Sequence, residues 1–163
     1  MFIGRAKNDP AKIENSKTIA EALGKIDKTK SIFISRGDDS GTNKKEISLW
    51  KNVNINPDGQ SWYKKAGQGM GDTLRMADEL GGYTLSDEAT FLTNKTSLGK
   101  LMSGQTELLN PYGIMRVKGT KKPNSSKAFI DYLVSSEGQK LIGKFGKTKY
   151  GKPLFVPNAS KRK

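Results

Sequence analysis

The residues best suited to chemistry lie in one stretch, Phe33-Ile-Ser-Arg-Gly-Asp-Asp-Ser-Gly-Thr42. An apolar strand ends in a loop rich in glycine and hydroxyls, and a helix follows at once. That order brings free backbone N–H groups, the Ser40 and Thr42 hydroxyls and the positive end of a helix dipole to one point, which is the chemistry of an anion site. The glycines and the Lys-Ser/Thr pair of a P-loop are not at the required spacing. The same residues also admit a purely structural reading, in which Ser40 and Thr42 cap the helix and Asp38 and Asp39 form an Asx-type turn. Arg36 has the same two options, an anion or the carboxylates beside it. With one Arg and two Asp the loop is net −1.

Tyr83-Thr-Leu-Ser-Asp87 again places hydroxyls where a strand meets a helix, and Ser86 reads first as an N-cap. Gly67-Gln-Gly-Met-Gly71 matches a dinucleotide fingerprint only loosely; its glycines suit close backbone approach or a sharp turn. No catalytic set stands out. Asp38 and Asp39 are merely adjacent, and Lys44 and Lys45 after Ser40 read as a solvated helix face. The Lys-rich C-terminal segment interleaves Phe145, Tyr150 and Phe155 with Lys144, Lys147, Lys149 and Lys152. That pattern admits a second function, a nucleic-acid-binding module that pairs phosphates with lysine and stacks bases on the rings.

Composition narrows the classes. The 163 residues include no Cys and no His. Thiolate nucleophiles, cysteine-ligated metals, the common triads and the usual general base are thereby excluded, so neither an enzyme, a metal site nor a cofactor is expected. The 29 basic and 16 acidic residues leave a formal charge of +13, which suggests an anionic partner. The surplus is regional, however. Residues 118–163 hold 12 basic and 2 acidic residues, whereas residues 1–117 are nearly balanced. Met1-Phe-Ile-Gly-Arg-Ala-Lys7 lacks the apolar run of a signal peptide, and no stretch reaches membrane-spanning length.

The elements that must position these residues alternate between strand and helix. Phe2 to Gly4 reads as the end of a strand. Ser16 is expected to cap a helix to about Asp27, with Ile19, Leu23 and Ile26 on one face. Ser31–Ser35 reads as a strand. A helix from about Thr42 to Lys51 turns Ile47 and Trp50 inward. Asn56-Pro-Asp-Gly59 is a turn, and Trp62-Tyr63 opens a short helical turn. A helix ends at Leu80 before Gly81-Gly82. Tyr83–Ser86 is a strand, with a helix behind it to about Lys95. Leu108 to Val117 is extended, and helices near 125–135 and 137–145 close the chain. Such alternation predicts a layered α/β fold.

Taken in order, Ser35-Arg-Gly-Asp-Asp-Ser-Gly-Thr-Asn-Lys-Lys-Glu-Ile-Ser-Leu-Trp-Lys51, Trp62-Tyr-Lys-Lys-Ala-Gly-Gln-Gly-Met-Gly71, Tyr83–Asp87, Asn110-Pro-Tyr-Gly113 and Pro153-Leu-Phe-Val-Pro-Asn-Ala159 resemble the successive motifs of tungstate-binding proteins of ABC transporters. That family resembles type II periplasmic binding proteins, whose two α/β lobes close on an oxyanion. The resemblance implies a periplasmic or otherwise extracytoplasmic setting, tungstate or molybdate as ligand and a membrane permease as partner. It implies Arg36, Ser40, Gly41 and Thr42 as oxyanion ligands, with Ser86 a further one. It also implies a missing part. Family members begin with a signal peptide and a Thr/Ser-rich segment of the first lobe, so residues 5–110 are expected to form the second lobe with its anion loop. Residues 111–163 are expected to supply the hinge and the C-terminal return of an incomplete first lobe, through which a homodimer is possible. The chain is then a fragment, the product of a split or truncated gene, or half of an assembly. Asn43 stands where the family commonly has His, and Glu88-Ala89 where Arg-Gly is more usual.

Overall fold

A computed structural model describes residues 1–5 and 8–159; Lys161, Arg162 and Lys163, the end of the basic segment, lie outside them. The chain divides into two compact units, Met1–Asn110 and Pro111–Lys163.

The first unit is built on strands β1 (Phe2–Arg5), β2 (Phe33–Ser35), β3 (Tyr63–Lys65), β4 (Tyr83–Ser86) and β5 (Gly99–Ser103), with spatial order β3-β2-β4-β1-β5. Phe33 lies opposite Tyr63 on one side and Tyr83 on the other, so β3, β2 and β4 run parallel. β1 is antiparallel to both β4 and β5. Helices α1 (Ile19–Thr29), α2 (Gly41–Asn52), α3 (Met70–Glu79) and α4 (Glu88–Thr93) supply the outer layers. One core joins Ile3, Phe33, Tyr83 and Leu85 of the sheet to Leu23 and Ile26 of α1 and Trp50 of α2, and a second joins Ile34 to Met70, Leu74 and Ala77 of α3. A sheet covered on both faces is the usual home of parallel strands.

Several elements differ from expectation. Helix α1 is capped by Thr18, whose hydroxyl accepts from the Glu21 N–H, while Glu21 accepts in return from the Lys17 N–H. This reciprocal arrangement outcompetes Ser16, which ends a 3-10 turn over Ile13–Asn15 and receives Lys25 Nζ at 3.0 Å. In α2 the buried stripe is Thr42, Asn43, Glu46, Leu49 and Trp50, and Ile47 is 52% exposed. Polar residues in the buried stripe concealed the true face. Trp62-Tyr63 does not form a helical turn; Tyr63 opens β3, because β2 and an aromatic cluster of Phe33, Trp50, Trp62 and Tyr63 hold it there. Asp87 rather than Ser86 caps α4, accepting from the Thr90 N–H, and Ser86 stays fully buried in β4. Strand β5 was not anticipated. It forms because the edge of β1 is open to it.

In the second unit, α5 (Pro123–Val134), α6 (Ser136–Lys144) and α7 (Lys147–Tyr150) follow a stretch without regular structure. Ser135 serves both long helices: its hydroxyl donates to the Tyr132 carbonyl at 2.7 Å and accepts from the Gly138 N–H at 3.2 Å. A side chain at Gly138 would lie 2.1 Å from that same carbonyl, so the corner accepts only glycine. Phe145 and Phe155 pair with ring centroids 6.1 Å apart. Among the described residues, no helix is long and apolar enough to cross a membrane.

Two outcomes are expected. The Tyr83 hydroxyl, fully buried, donates to Asp9 Oδ1 at 2.5 Å and accepts from the Ala11 N–H at 3.0 Å. Burial raises the Asp9 carboxyl, but hydrogen bonds from the Glu14 N–H and Tyr83 outweigh it and hold the group below the usual carboxylate range. Tyr83→Phe should therefore cost about 1–3 kcal/mol in urea unfolding near neutral pH. Because a depressed carboxyl contributes stability above its unfolded pKa, near 3.9, the gap between wild type and variant should narrow as pH falls below that value. Gly138→Ala should cost the second unit about 1–3 kcal/mol, read as faster amide exchange in α6 with α1 still protected.

Candidate anion-binding site

Parallel pairing of β3, β2 and β4 brings three strand ends to one edge, and a helix starts just beyond each: α2 after β2, α3 after β3, α4 after β4. Crevices at the carboxyl ends of parallel strands are where α/β sheets bind ligands. Every residue suggested by the sequence as a ligand sits at this edge.

The loop from β2 to α2 carries most of them. Ser40 is the N-cap of α2; its hydroxyl oxygen accepts from the Asn43 N–H at 3.3 Å, and its own N–H donates to Asp38 Oδ1 at 3.2 Å. Arg36 Nη2 donates to Asp38 Oδ2 at 2.5 Å. The Ser40 hydroxyl and N–H, with Arg36, hold the Asp38 carboxyl below its ordinary range. The structural reading of this loop is thus realised: an Asx-type turn, a cap and an Arg–Asp pair. Donors nevertheless remain. Among the described residues, the N–H groups of Gly41 and Thr42 have no hydrogen-bond partner, as the first turn of a helix requires. Arg36 Nε is buried and also has no acceptor. A side chain on Gly41 would meet nothing within 4 Å, so the space beside its Cα is open.

Neighbouring backbone braces the loop. The Ala66 and Gly67 N–H groups donate to the carbonyls of Ser35 and Arg36 at 2.9 and 2.8 Å. Gly37 has φ +63°, and a Cβ there would come within 2.8 Å of the Lys65 Cβ. Glycine is needed at Gly37 on both counts. In Gly67-Gln-Gly-Met-Gly71 the turn reading is the one realised: Gly67 has φ +65°, a Cβ at Gly67 or Gly69 would meet nothing within 4 Å, and α3 starts at Met70 behind Gly69.

Ser86 ends β4. Ile34 lies opposite Thr84, so Ser86 is level with Arg36 two residues on. Its hydroxyl is fully buried and donates to the Asp87 carbonyl at 3.0 Å. Lys44, read above as part of a solvated helix face, pairs on the surface with Asp39 at 3.2 Å, a solvated pair worth little. Among the described residues, no group of three or more metal-ligating side chains converges.

One set of residues beneath the loop was missed in the sequence. Glu46 is 3% exposed, and its carboxylate accepts from four donors: Trp50 Nε1 at 2.9 Å and Tyr63 Oη at 2.7 Å on Oε1, the Ser35 hydroxyl and Asn43 Nδ2 on Oε2. Burial pushes this carboxyl up, and the four donors oppose the shift. Asn43 completes the link upward, accepting the Asp39 N–H on Oδ1 at 3.1 Å. The available signal was the i, i+3, i+7 spacing of Asn43, Glu46 and Trp50, a helical face of mixed polarity that apolar periodicity passes over.

Known proteins resemble this chain along most of its length. The tungstate-binding protein TupA of Peptoclostridium acidaminophilum is 48% identical over 169 positions, which take in 99% of this chain but only 58% of that protein. The chain therefore spans little more than half of that relative's length. Two solved structures superpose well: the tungstate-binding protein TupA of Desulfovibrio alaskensis, at 37% identity and TM-score 0.76 with 97% of this chain and 66% of that one covered, and the tungstate ABC transporter protein of Geobacter sulfurreducens, at 44% and 0.78 with 88% and 63% covered. The model of the PBP superfamily domain matches residues 1–137, and with that coverage, this sheet order and a donor-lined edge at the carboxyl ends of its parallel strands, the chain belongs to the PBP superfamily.

Proposed function

We propose that this chain is part of the substrate-binding component of an ABC importer and holds tungstate, or a similar tetrahedral oxyanion, at the carboxyl edge of its parallel strands. The observation that carries the reading is the set of uncommitted donors at one helix start: the Gly41 and Thr42 N–H groups beside the buried, unpartnered Nε of Arg36. Oriented N–H groups and a guanidinium suit a dianion that needs donors all round, and they supply them without a metal or a cofactor. Thr42 adds a hydroxyl, and those of Ser40 and, more remotely, Ser86 would join it by turning from Asp38 and the Asp87 carbonyl. Relatives named for tungstate binding support the same ligand. Molybdate, of nearly equal size and charge, fits the same donors. Binding, with closure of the other lobe over the anion, replaces catalysis in this reading.

On this proposal residues 5–110 are the second lobe, and residues 111–163 carry the hinge and the return into the first lobe. The first lobe is completed by further chain or by a second copy. Phe129, Leu141 and Phe145, each more than half exposed, are available for that contact. A periplasmic or extracytoplasmic setting and a membrane permease follow from the same reading. The nucleic-acid alternative draws no support: of its three stacking rings, Phe145, Tyr150 and Phe155, the first and last pair with each other, and Tyr112 packs edge-on against Phe155 at 5.9 Å.

Calorimetric titration with tungstate, molybdate, sulfate and phosphate, beside an oligonucleotide at two salt concentrations, tests the proposal. Tungstate and molybdate should bind, more weakly than to the Geobacter relative, of which this chain covers 63%, because on this proposal the donors of one lobe act alone. Arg36→Ala should weaken tungstate binding about 10- to 100-fold and Thr42→Val about fivefold, the scale of a charged and a neutral hydrogen bond. Salt-sensitive oligonucleotide binding with no oxyanion response would overturn the reading.

A further inference from the structure

Glu46 is almost wholly buried and lies below the proposed anion loop. Even so, its contacts reach both ends of that loop. At one end, the Ser35 hydroxyl donates to Glu46 Oε2, which anchors the residue immediately before Arg36. At the other, Asn43 turns its amide nitrogen toward Ser35 Oγ, at 3.0 Å, and toward the same carboxylate oxygen, at 3.4 Å. Its amide oxygen must then face the other way, where it accepts the N–H of Asp39. Asp39 is held at φ +58°, a left-handed conformation that a residue with a side chain adopts at a cost. That conformation immediately precedes the cap Ser40 and the free N–H groups of Gly41 and Thr42.

The direction of the Asn43 amide is set chemically. An ionised carboxylate only accepts, so it selects the nitrogen side of Asn43 and the proton of Ser35. The far oxygen, Oε1, is occupied by Trp50 and Tyr63, whose donors belong to the aromatic core. Among the described residues, no ion pair reaches Glu46. A buried carboxylate met only by neutral donors is costly to keep for packing alone.

We infer that Glu46 is a positioning residue for the anion site: through Ser35 and Asn43 it holds the loop from Arg36 to Thr42 in the shape that presents its donors, without contacting the ligand. This rests on the oxyanion reading for its functional meaning, but the loop-holding role is measurable by itself.

The experiment compares Glu46→Gln, Asn43→Ala, the double variant and Tyr63→Phe by tungstate calorimetry and by NMR exchange of the Asp39 amide. Glu46→Gln keeps the shape but sets an NH2 against one pair of donors. If that NH2 takes the Oε2 position, Ser35 can turn to accept, while the Asn43 amide must flip and release Asp39. Glu46→Gln and Asn43→Ala should each weaken tungstate binding about tenfold and speed Asp39 exchange by at least about tenfold. The double variant should be no worse than either single one, because both break the same link. Tyr63→Phe, which removes a donor from the far oxygen, should lower stability yet leave tungstate affinity within about twofold and Asp39 protected. Unchanged Asp39 exchange in Glu46→Gln, additive losses in the double variant, or an equal loss in Tyr63→Phe would overturn the inference. Should the wild type bind no oxyanion, the functional reading falls, and Asp39 exchange still decides whether Glu46 holds the loop.

Discussion

Parallel pairing of three short strands is the constraint on which the site depends. Each strand of β3, β2 and β4 has only three or four residues, so none has much stability alone. Pairing aligns their carboxyl ends, and because each chain segment then turns into a helix, three helix starts gather at one edge. The N–H groups left over at a helix start have no partner within the helix. Burying the strands between two helical layers makes that arrangement rigid, and rigidity is what allows weak donors to act as a set.

The polar network under the loop follows from the same geometry. Ser35 ends β2 facing α2, and the first two turns of α2 place Asn43 and Glu46 over it. Trp50 and Tyr63 close the other side, so one carboxylate ties a strand end, a helix, a second strand and the aromatic core together. Arg36 is handled differently. Its guanidinium is paired with Asp38 through Nη2 while Nε stays without an acceptor, which leaves part of its donor capacity for a ligand.

Net charge describes another part of the molecule. The loop is slightly acidic, whereas +10 of the +13 lies in residues 118–163, the segment of α5, α6 and α7. Affinity for an anion at this edge would come from oriented dipoles and one arginine at short range. Surface lysines act over a Debye length and are screened by salt, so their surplus bears on solubility and encounter more than on the site.

Local chemistry made much of the chain legible. The Ser-Gly-Thr start of α2, the turn at Gly81, the strands at Phe33 and Tyr83 and the α/β class all follow from residue type and spacing, because caps, turns and apolar periodicity are short-range effects. The collinear motifs pointed to the family for a different reason, since several in order are far more specific than one. Tertiary structure decided the rest. Tyr63 became a strand residue only because β2 and three aromatic rings surround it, and β5 formed only because the edge of β1 was open. Ile47 turned outward because Glu46 was buried in its place, which no apolar pattern announces. What the sequence alone determined was which residues carry donors suited to an anion. Which of their donors stay free, and what holds them in place, depended on contacts between segments far apart in the chain.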